Sequence, residues 1–273
     1  MIIDGRKMAS EVLARAKERA ENLSHAPTLR VIACGGNAAT ASYLKMKQKR
    51  GAEAGVEMIL QDLDASASTG DLVNAINSST EDAVIVQLPL VQSVDTQAVL
   101  DAIPSEKDAD VLARAMRARF NAGDVDALLP PVVGAVREIF TQHGINPKGK
   151  RAVVIGNGWL VGNPCAKWLM QQGAEVSILT SKSGDLTAAL RAADIIVSGA
   201  GSPHFIKPDM IQQGLALIDA GTSESDGTIA GDADPACAPI CSIFTPVPGG
   251  VGPLAVAKLF ENVVMLAERA TNT

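Results

Sequence analysis

Residues 153–170 read VVIGNGWLVGNPCAKWLM. A β-branched run over 151–155 leads into Gly156-x-Gly158-x-x-x-Gly162, and a helical pattern follows over 160–172. Each glycine has a task in such a turn. Gly156 allows the tight bend, Gly158 lets the backbone approach a pyrophosphate, and Gly162 lets the helix pack close to the strand. The helix N-terminus then offers free N–H groups and a positive dipole end to phosphate. Strand, glycine turn and helix together predict a dinucleotide site; a merely structural βα turn is the alternative. The next strand, over 175–179, ends in Thr180-Ser181-Lys182-Ser183. An NAD site usually places a carboxylate at that tip, to bind the ribose 2′-hydroxyl. Hydroxyls and one lysine suit a 2′-phosphate better, so NADP is expected and NAD is the alternative.

The pattern extends in both directions. Downstream lie a helix over 186–192, strands over 194–197 and 215–219, and a terminal helix over 253–270. Upstream, helices over 6–23, 38–55, 69–76 and 94–103 alternate with strands over 29–34, 56–60 and 83–86, and a further helix covers 132–143. Such alternation implies βαβ units and mostly parallel sheets. The fold class is α/β with two domains, an N-terminal βαβ sheet domain and a C-terminal Rossmann-type NAD(P)-binding domain. Gly123 interrupts a charged helical stretch, which places the division near 115–125. The expected domains are 1–120 plus 252–273, and 121–251.

The chain has 273 residues, enough for about two domains. Lys plus Arg is 24 and Asp plus Glu is 30, a formal net charge of −6. No nucleic-acid partner is expected, since binding phosphates needs a basic excess. Aromatics are only 3%, so the core must be aliphatic. The start, MIIDGRK, has no signal-peptide pattern, and no apolar run reaches the ~20 residues that span a bilayer. The four cysteines form no CxxC pair and there are three histidines, so no metal site is expected. Cys237 and Cys241 read as ordinary thiols of a reduced cytoplasm.

Tyr43 and Lys47 lie four apart, on one face of the helix over 38–55. Tyr43 is the only tyrosine. With Lys45 and Lys49 on other faces, a solvated surface helix is the plain alternative. Gln87 favours a functional role. It ends a buried strand, where open α/β sheets place ligands. A lysine near that point is partly desolvated, which lowers its pKa and fits it for acid/base work.

These residues form an ordered pattern. TPVPGGVGPLAVAKL at 245–259 is its most specific element. DGR at 4–6, Tyr43-x3-Lys47, VQLPL at 86–90, KDAD at 107–110, VVIGNGWLVGNP at 153–164, TSKS at 180–183 and DGTIAGDAD at 226–234 agree in order and spacing. The chain resembles the bifunctional methylenetetrahydrofolate dehydrogenase/methenyltetrahydrofolate cyclohydrolase family over nearly its whole length. The resemblance implies oxidation of 5,10-methylenetetrahydrofolate by NADP⁺ and hydrolysis of the product to 10-formyltetrahydrofolate, within one-carbon metabolism and purine biosynthesis. It implies a catalytic set of Lys47, Gln87, Tyr43 and Asp110. Lys47 would be the main acid/base group, held and tuned by Gln87. Tyr43 would stack on the aminobenzoate and Asp110 would bind the pterin. Val86, Leu88 and the run Pro248, Gly249, Gly250, Val251, Gly252 and Pro253 would line the folate cleft, expected between the domains. Gly156, Asn157, Gly158, Gly162, Ser181 and Thr222 would hold the cofactor. A homodimer is implied as well.

The chain departs from the family at definite points. Gly156-Asn157-Gly158 replaces Gly-Arg-Ser. Asp110-Val111-Leu112 replaces Asp-Gly-Phe, and a more helical stretch follows it. Leu129-Pro130-Pro131-Val132 stands for Pro-Cys-Thr-Pro, Gly221-Thr222-Ser223 for Gly-Ile-Asn, and Ala255 for a threonine. With Lys47 and Gln87 present, activity with altered rate or cofactor preference is expected.

Overall fold

The computed structural model describes residues 1–36, 38–225 and 228–271. Asp226-Gly227, which open the DGTIAGDAD stretch, and residues 272–273, which close the expected catalytic domain, lie outside the described residues. In chain order the elements are α1 (Gly5–Ala20), β1 (Thr28–Cys34), α2 (Ala38–Glu53), β2 (Glu57–Leu63), α3 (Thr69–Asn77), β3 (Ala83–Val86), α4 (Thr96–Asp101), α5 (Arg114–Asn121) and α6 (Pro131–Gln142). There follow β4 (Arg151–Ile155), α7 (Gly162–Gln171), β5 (Glu175–Leu179), α8 (Thr187–Ala192), β6 (Ile195–Ser198), β7 (Ala216–Asp219), β8 (Ser223–Ser225), β9 (Thr228–Ala230), β10 (Ile243–Phe244) and α9 (Val251–Thr271). Two compact units divide the chain: Ser10–Pro131 with Val256–Thr273, and Met1–Ala9 with Val132–Ala255.

In the first unit a parallel sheet has the order β2-β1-β3. β3 is AVIV, buried at every position, as a strand covered on both faces should be. The Gln87 N–H donates to Ile32 O at 2.8 Å, which carries the β1–β3 pairing past the end of β3. Gln87 is thereby fixed at the carboxyl edge of the sheet. Ser68 and Asp71 form a capping box that starts α3. α9 packs on α2: a Cβ at Gly51 would sit 2.9 Å from the Phe260 ring. Asn262 on α9 is buried and donates to Ala109 O at 2.9 Å and Leu129 O at 3.0 Å. It ties the helix to the backbone just before Asp110.

In the second unit the parallel sheet has the order β10-β7-β6-β4-β5. Its core joins Val153, Ile155, Ile196, Leu217 and Phe244 with Leu190, Ile206 and Leu215. The chain start is anchored there, with Ile3 N–H donating to Phe244 O and Phe244 N–H to Met1 O, both at 2.9 Å. Phe140 and Trp168 meet edge to face at 5.6 Å, an unusual aromatic pair in an aliphatic protein.

Local differences from the sequence expectation have physical causes. β2 runs on to Leu63 because it pairs with β1 in register up to Cys34↔Leu63, and as an edge strand it tolerates polar Gln61 and Asp62. α7 starts at Gly162, since Trp159 and Leu160 belong to the glycine turn. The antiparallel β8–β9 hairpin and the short β10 carry no periodic signal that would announce them. Among the described residues, no helix is long and apolar enough to cross a membrane.

Replacing Asn262 by Ala takes the donor from the buried Ala109 carbonyl and from the half-buried Leu129 carbonyl. The expected cost is about 2 kcal/mol, measurable as a lower urea midpoint with an unchanged slope.

Candidate active site

In the first unit the succession of strands reverses between β1 and β3, where doubly wound sheets bind ligands outside their carboxyl ends. α2 follows β1 and carries Tyr43 and Lys47; Gln87 follows β3. Lys47 is only 6% exposed. Its Nζ donates to Gln87 Oε1 at 3.1 Å and lies 4.9 Å from the centre of the Tyr43 ring. Gln87 Nε2 donates to Leu88 O at 2.7 Å, so the amide oxygen is the end turned to the amine.

The electrostatics of this group oppose one another. Burial lowers the Lys47 pKa, and the charge of Asp110 raises it in part. Burial raises the Asp110 pKa, against the pull of Lys47. Tyr43 is pushed up to about 12, first by desolvation and then by Asp110. The structure thus brings together Tyr43, Lys47, Gln87 and Asp110. Val86 is buried beneath them, and Leu88 is half-buried beside Gln87.

Asp110 follows a second carboxylate, Asp108, which is fully buried. Asp108 Oδ2 accepts from Ala113 N–H at 2.8 Å, and the N–H groups of Leu112 and Val111 also turn to this carboxylate. Burial pushes Asp108 up to about 6 despite these bonds. The turn it holds contains Val111 at φ +58°, in the left-handed region. A β-branched residue there carries strain of about 1–3 kcal/mol. Asp108 belongs to the KDAD motif, but only the folded turn shows what it does.

The second unit bears the glycine turn. Gly156 has φ +93°, and a Cβ there would come within 2.7 Å of Gly199 O. A Cβ at Gly162 would overlap Gly156 O, whereas nothing lies within 4 Å of one at Gly158. Open space above Gly158 and the lack of a side-chain cap on α7 fit a bound pyrophosphate. Asn157, Ser181 and Thr222 are all exposed, and Asn157 Oδ1 accepts from Asn163 Nδ2 at 3.3 Å. At the tip of β5, the Lys182 N–H donates to Thr180 Oγ1 at 3.3 Å. In the TPVPGGVGP stretch, Gly250 N–H donates to Pro246 O at 2.7 Å and closes a turn in which Pro248 is exposed and Gly250 buried. Val251, Gly252 and Pro253 form the first turn of α9. The DGR start packs on this turn: a Cβ at Gly5 would overlap Gly250 O, and one at Gly249, whose φ is +111°, would meet the Arg6 guanidinium at 3.5 Å.

Comparison with known proteins agrees over both units. Residues 3–110 match the tetrahydrofolate dehydrogenase/cyclohydrolase catalytic domain, and residues 130–271 match the NAD(P)-binding domain of the same family. The chain belongs to the tetrahydrofolate dehydrogenase/cyclohydrolase family. Bifunctional protein FolD of Lacticaseibacillus paracasei is 37% identical, over 99% of this chain and 98% of its own. The crystal structure of the bifunctional FolD enzyme of Campylobacter jejuni superposes with a TM-score of 0.95 at 32% identity, covering 99% of each chain. The Trypanosoma brucei enzyme, complexed with NADP cofactor and inhibitor, gives 0.92 at 30% identity, over 100% of this chain and 99% of its own.

The left-handed backbone at position 111 explains why the family pattern has glycine there. Asp108 holds the turn in spite of Val111. The raised pKa of Asp108 has a definite sign. Between the ordinary carboxylate range and about pH 6 the folded state binds the proton and the unfolded state does not. The stability from this group is present at low pH and lost as pH rises through about 6. Asp108→Asn therefore flattens that fall. Relative to wild type, its unfolding free energy gains up to about 3 kcal/mol between pH 4 and pH 7, measured by urea titration at each pH.

Proposed function

We propose that the protein oxidises 5,10-methylenetetrahydrofolate to 5,10-methenyltetrahydrofolate with NADP⁺ and hydrolyses that product to 10-formyltetrahydrofolate. The observation that carries this reading is the buried Lys47 amine, bonded to a neutral amide at 3.1 Å. The family supports both halves of the reaction.

When bound, NADP⁺ accepts the hydride of the methylene carbon. Gly156, Gly158 and Gly162 leave room for its pyrophosphate against α7, with Asn157, Ser181 and Thr222 at the rim. Hydroxyls at 180, 181 and 183 and the charge of Lys182 receive the 2′-phosphate. The methenyl carbon is already a strong electrophile, so water needs only a base. Neutral Lys47 takes one proton of the attacking water and returns it to the departing ring nitrogen, while the second water proton leaves to solvent as the carbinol oxygen becomes the formyl carbonyl. Its bond to Gln87 Oε1 uses one N–H and leaves the lone pair free to act. Tyr43 stacks on the aminobenzoate, Asp110 binds the pterin, and Val86 and Leu88 line the folate site. We assign the folate chemistry to residues 1–120 plus 252–273 and the dinucleotide to 121–251. The same reading carries a cytoplasmic location, a homodimeric assembly and no nucleic-acid partner.

Incubation with methylenetetrahydrofolate and either nucleotide tests this directly. No absorbance of methenyltetrahydrofolate or reduced nucleotide overturns it. Lys47→Met is expected to lower cyclohydrolase turnover by about 10²–10⁴ with an unchanged melting temperature. In wild type that turnover falls on the acid side, because protonating the amine removes the base. Lys182→Glu is expected to cut the NADP⁺/NAD⁺ ratio of kcat/KM by about tenfold, roughly the 1.4 kcal/mol of one charge-assisted contact.

A further inference from the structure

Two buried carboxylates of the second unit have no part in this chemistry: Asp219 is 1% exposed and Asp232 fully buried. Their place in the sheet is informative. β4 leads to β5 on one side, and the chain then returns to β6 on the other. This reversal puts the ligand crevice between the turn after β4 and the loop after β6, residues 199–202. The β5 side takes the adenosine half of a dinucleotide, so the β6 side faces the nicotinamide half.

Asp232 holds that loop. Its Oδ2 accepts from Ser198 Oγ at 2.6 Å and from Ala200 N–H at 2.7 Å, and its Oδ1 accepts from Ser202 N–H at 2.7 Å. The held loop bears on the glycine turn, since a Cβ on Gly199 would fall 2.5 Å from Val161 Cγ1. A Cβ on Gly221, next to Thr222, would overlap the Asp232 carboxylate. Asp219, at the end of β7, supports the arrangement. Its Oδ1 accepts from Gly221 N–H at 2.9 Å and its Oδ2 from Ala233 N–H at 2.8 Å. Its own N–H donates to Thr245 Oγ1 at 2.7 Å.

We propose that Asp232, set in place by Asp219, is a positioning residue for the nicotinamide half of the cofactor, acting through residues 199–202. Two backbone N–H groups point at its two oxygens, one at each. An amide cannot accept both, so Asp232→Asn must release one end of the loop while nearly keeping its volume. The inference rests on the proposed dehydrogenase, and hydrolysis of methenyltetrahydrofolate needs no nucleotide. The two activities should therefore separate.

The test uses the full chain and measures four quantities for wild type and Asp232→Asn. These are the KM for NADP⁺, the Kd of NADPH by fluorescence, cyclohydrolase turnover without nucleotide, and the melting temperature. The expected result is a tenfold or larger rise in KM and Kd with cyclohydrolase turnover within twofold of wild type. An unchanged KM for NADP⁺ overturns the proposal. So does an equal fall of both activities together with the melting temperature, which marks a merely structural carboxylate. If Asp232→Asn does not fold, Ser198→Ala removes a single bond to the same oxygen. A threefold rise in the KM for NADP⁺ alone then supports the role, and no rise overturns it. A wild-type protein inactive with both nucleotides would instead overturn the proposed dehydrogenase activity itself.

Discussion

The proposed chemistry depends on one amine kept out of water. A lysine in solution is protonated at neutral pH and useless as a base. Burial at the carboxyl edge of the β2-β1-β3 sheet makes its charged form costly. The partner it is given matters as much as the burial. Gln87 accepts a hydrogen bond without bringing a charge, so it orients the amine and leaves its lowered pKa in place. A carboxylate at that position would restore the charge. Asp110 stands farther off and pulls the other way, and the balance between burial and that field sets how readily the amine gives and takes a proton.

Both units rely on the same topological device. A parallel sheet whose strand succession reverses leaves a gap where two successive loops diverge, and backbone groups there are free to meet a ligand. In one unit the gap receives side chains, from α2 and from the residue after β3. In the other it receives backbone, from the glycine turn and from residues 199–202. Backbone alone holds no fixed shape, and buried carboxylates supply the rigidity. Asp232 and Asp219 accept from loop N–H groups in the dinucleotide unit, as Asp108 does beneath Asp110. Each carboxylate satisfies donors that a loop would otherwise leave to water, and each gives up part of its own solvation to do so.

The departures from the family pattern are local and have local consequences. Val111 occupies a left-handed backbone that glycine enters freely, and the hydrogen bonds to Asp108 hold it there. Asn157 stands where the family pattern has an arginine, and Lys182 puts a positive charge at the β5 tip.

Much of this was legible in the sequence. Alternating periodicity located the main helices and parallel strands, because burial of aliphatic faces leaves a regular trace. The glycine spacing at 156–162 marked the nucleotide turn, since backbone approach there excludes a Cβ. The motifs around Lys47, Gln87 and 245–259 carried the family. The short β8–β9 hairpin and the start of α7 were not legible, because pairing and close packing set them rather than periodicity. The dryness of the Lys47 amine also required the fold: helical spacing puts a lysine on a face but does not say what covers it. Asp108, Asp219 and Asp232 read as ordinary acidic residues in the chain. Only the folded loops, by bringing backbone N–H groups to their oxygens, made them structural anions, since a hydrogen bond between distant segments has no signature in local sequence.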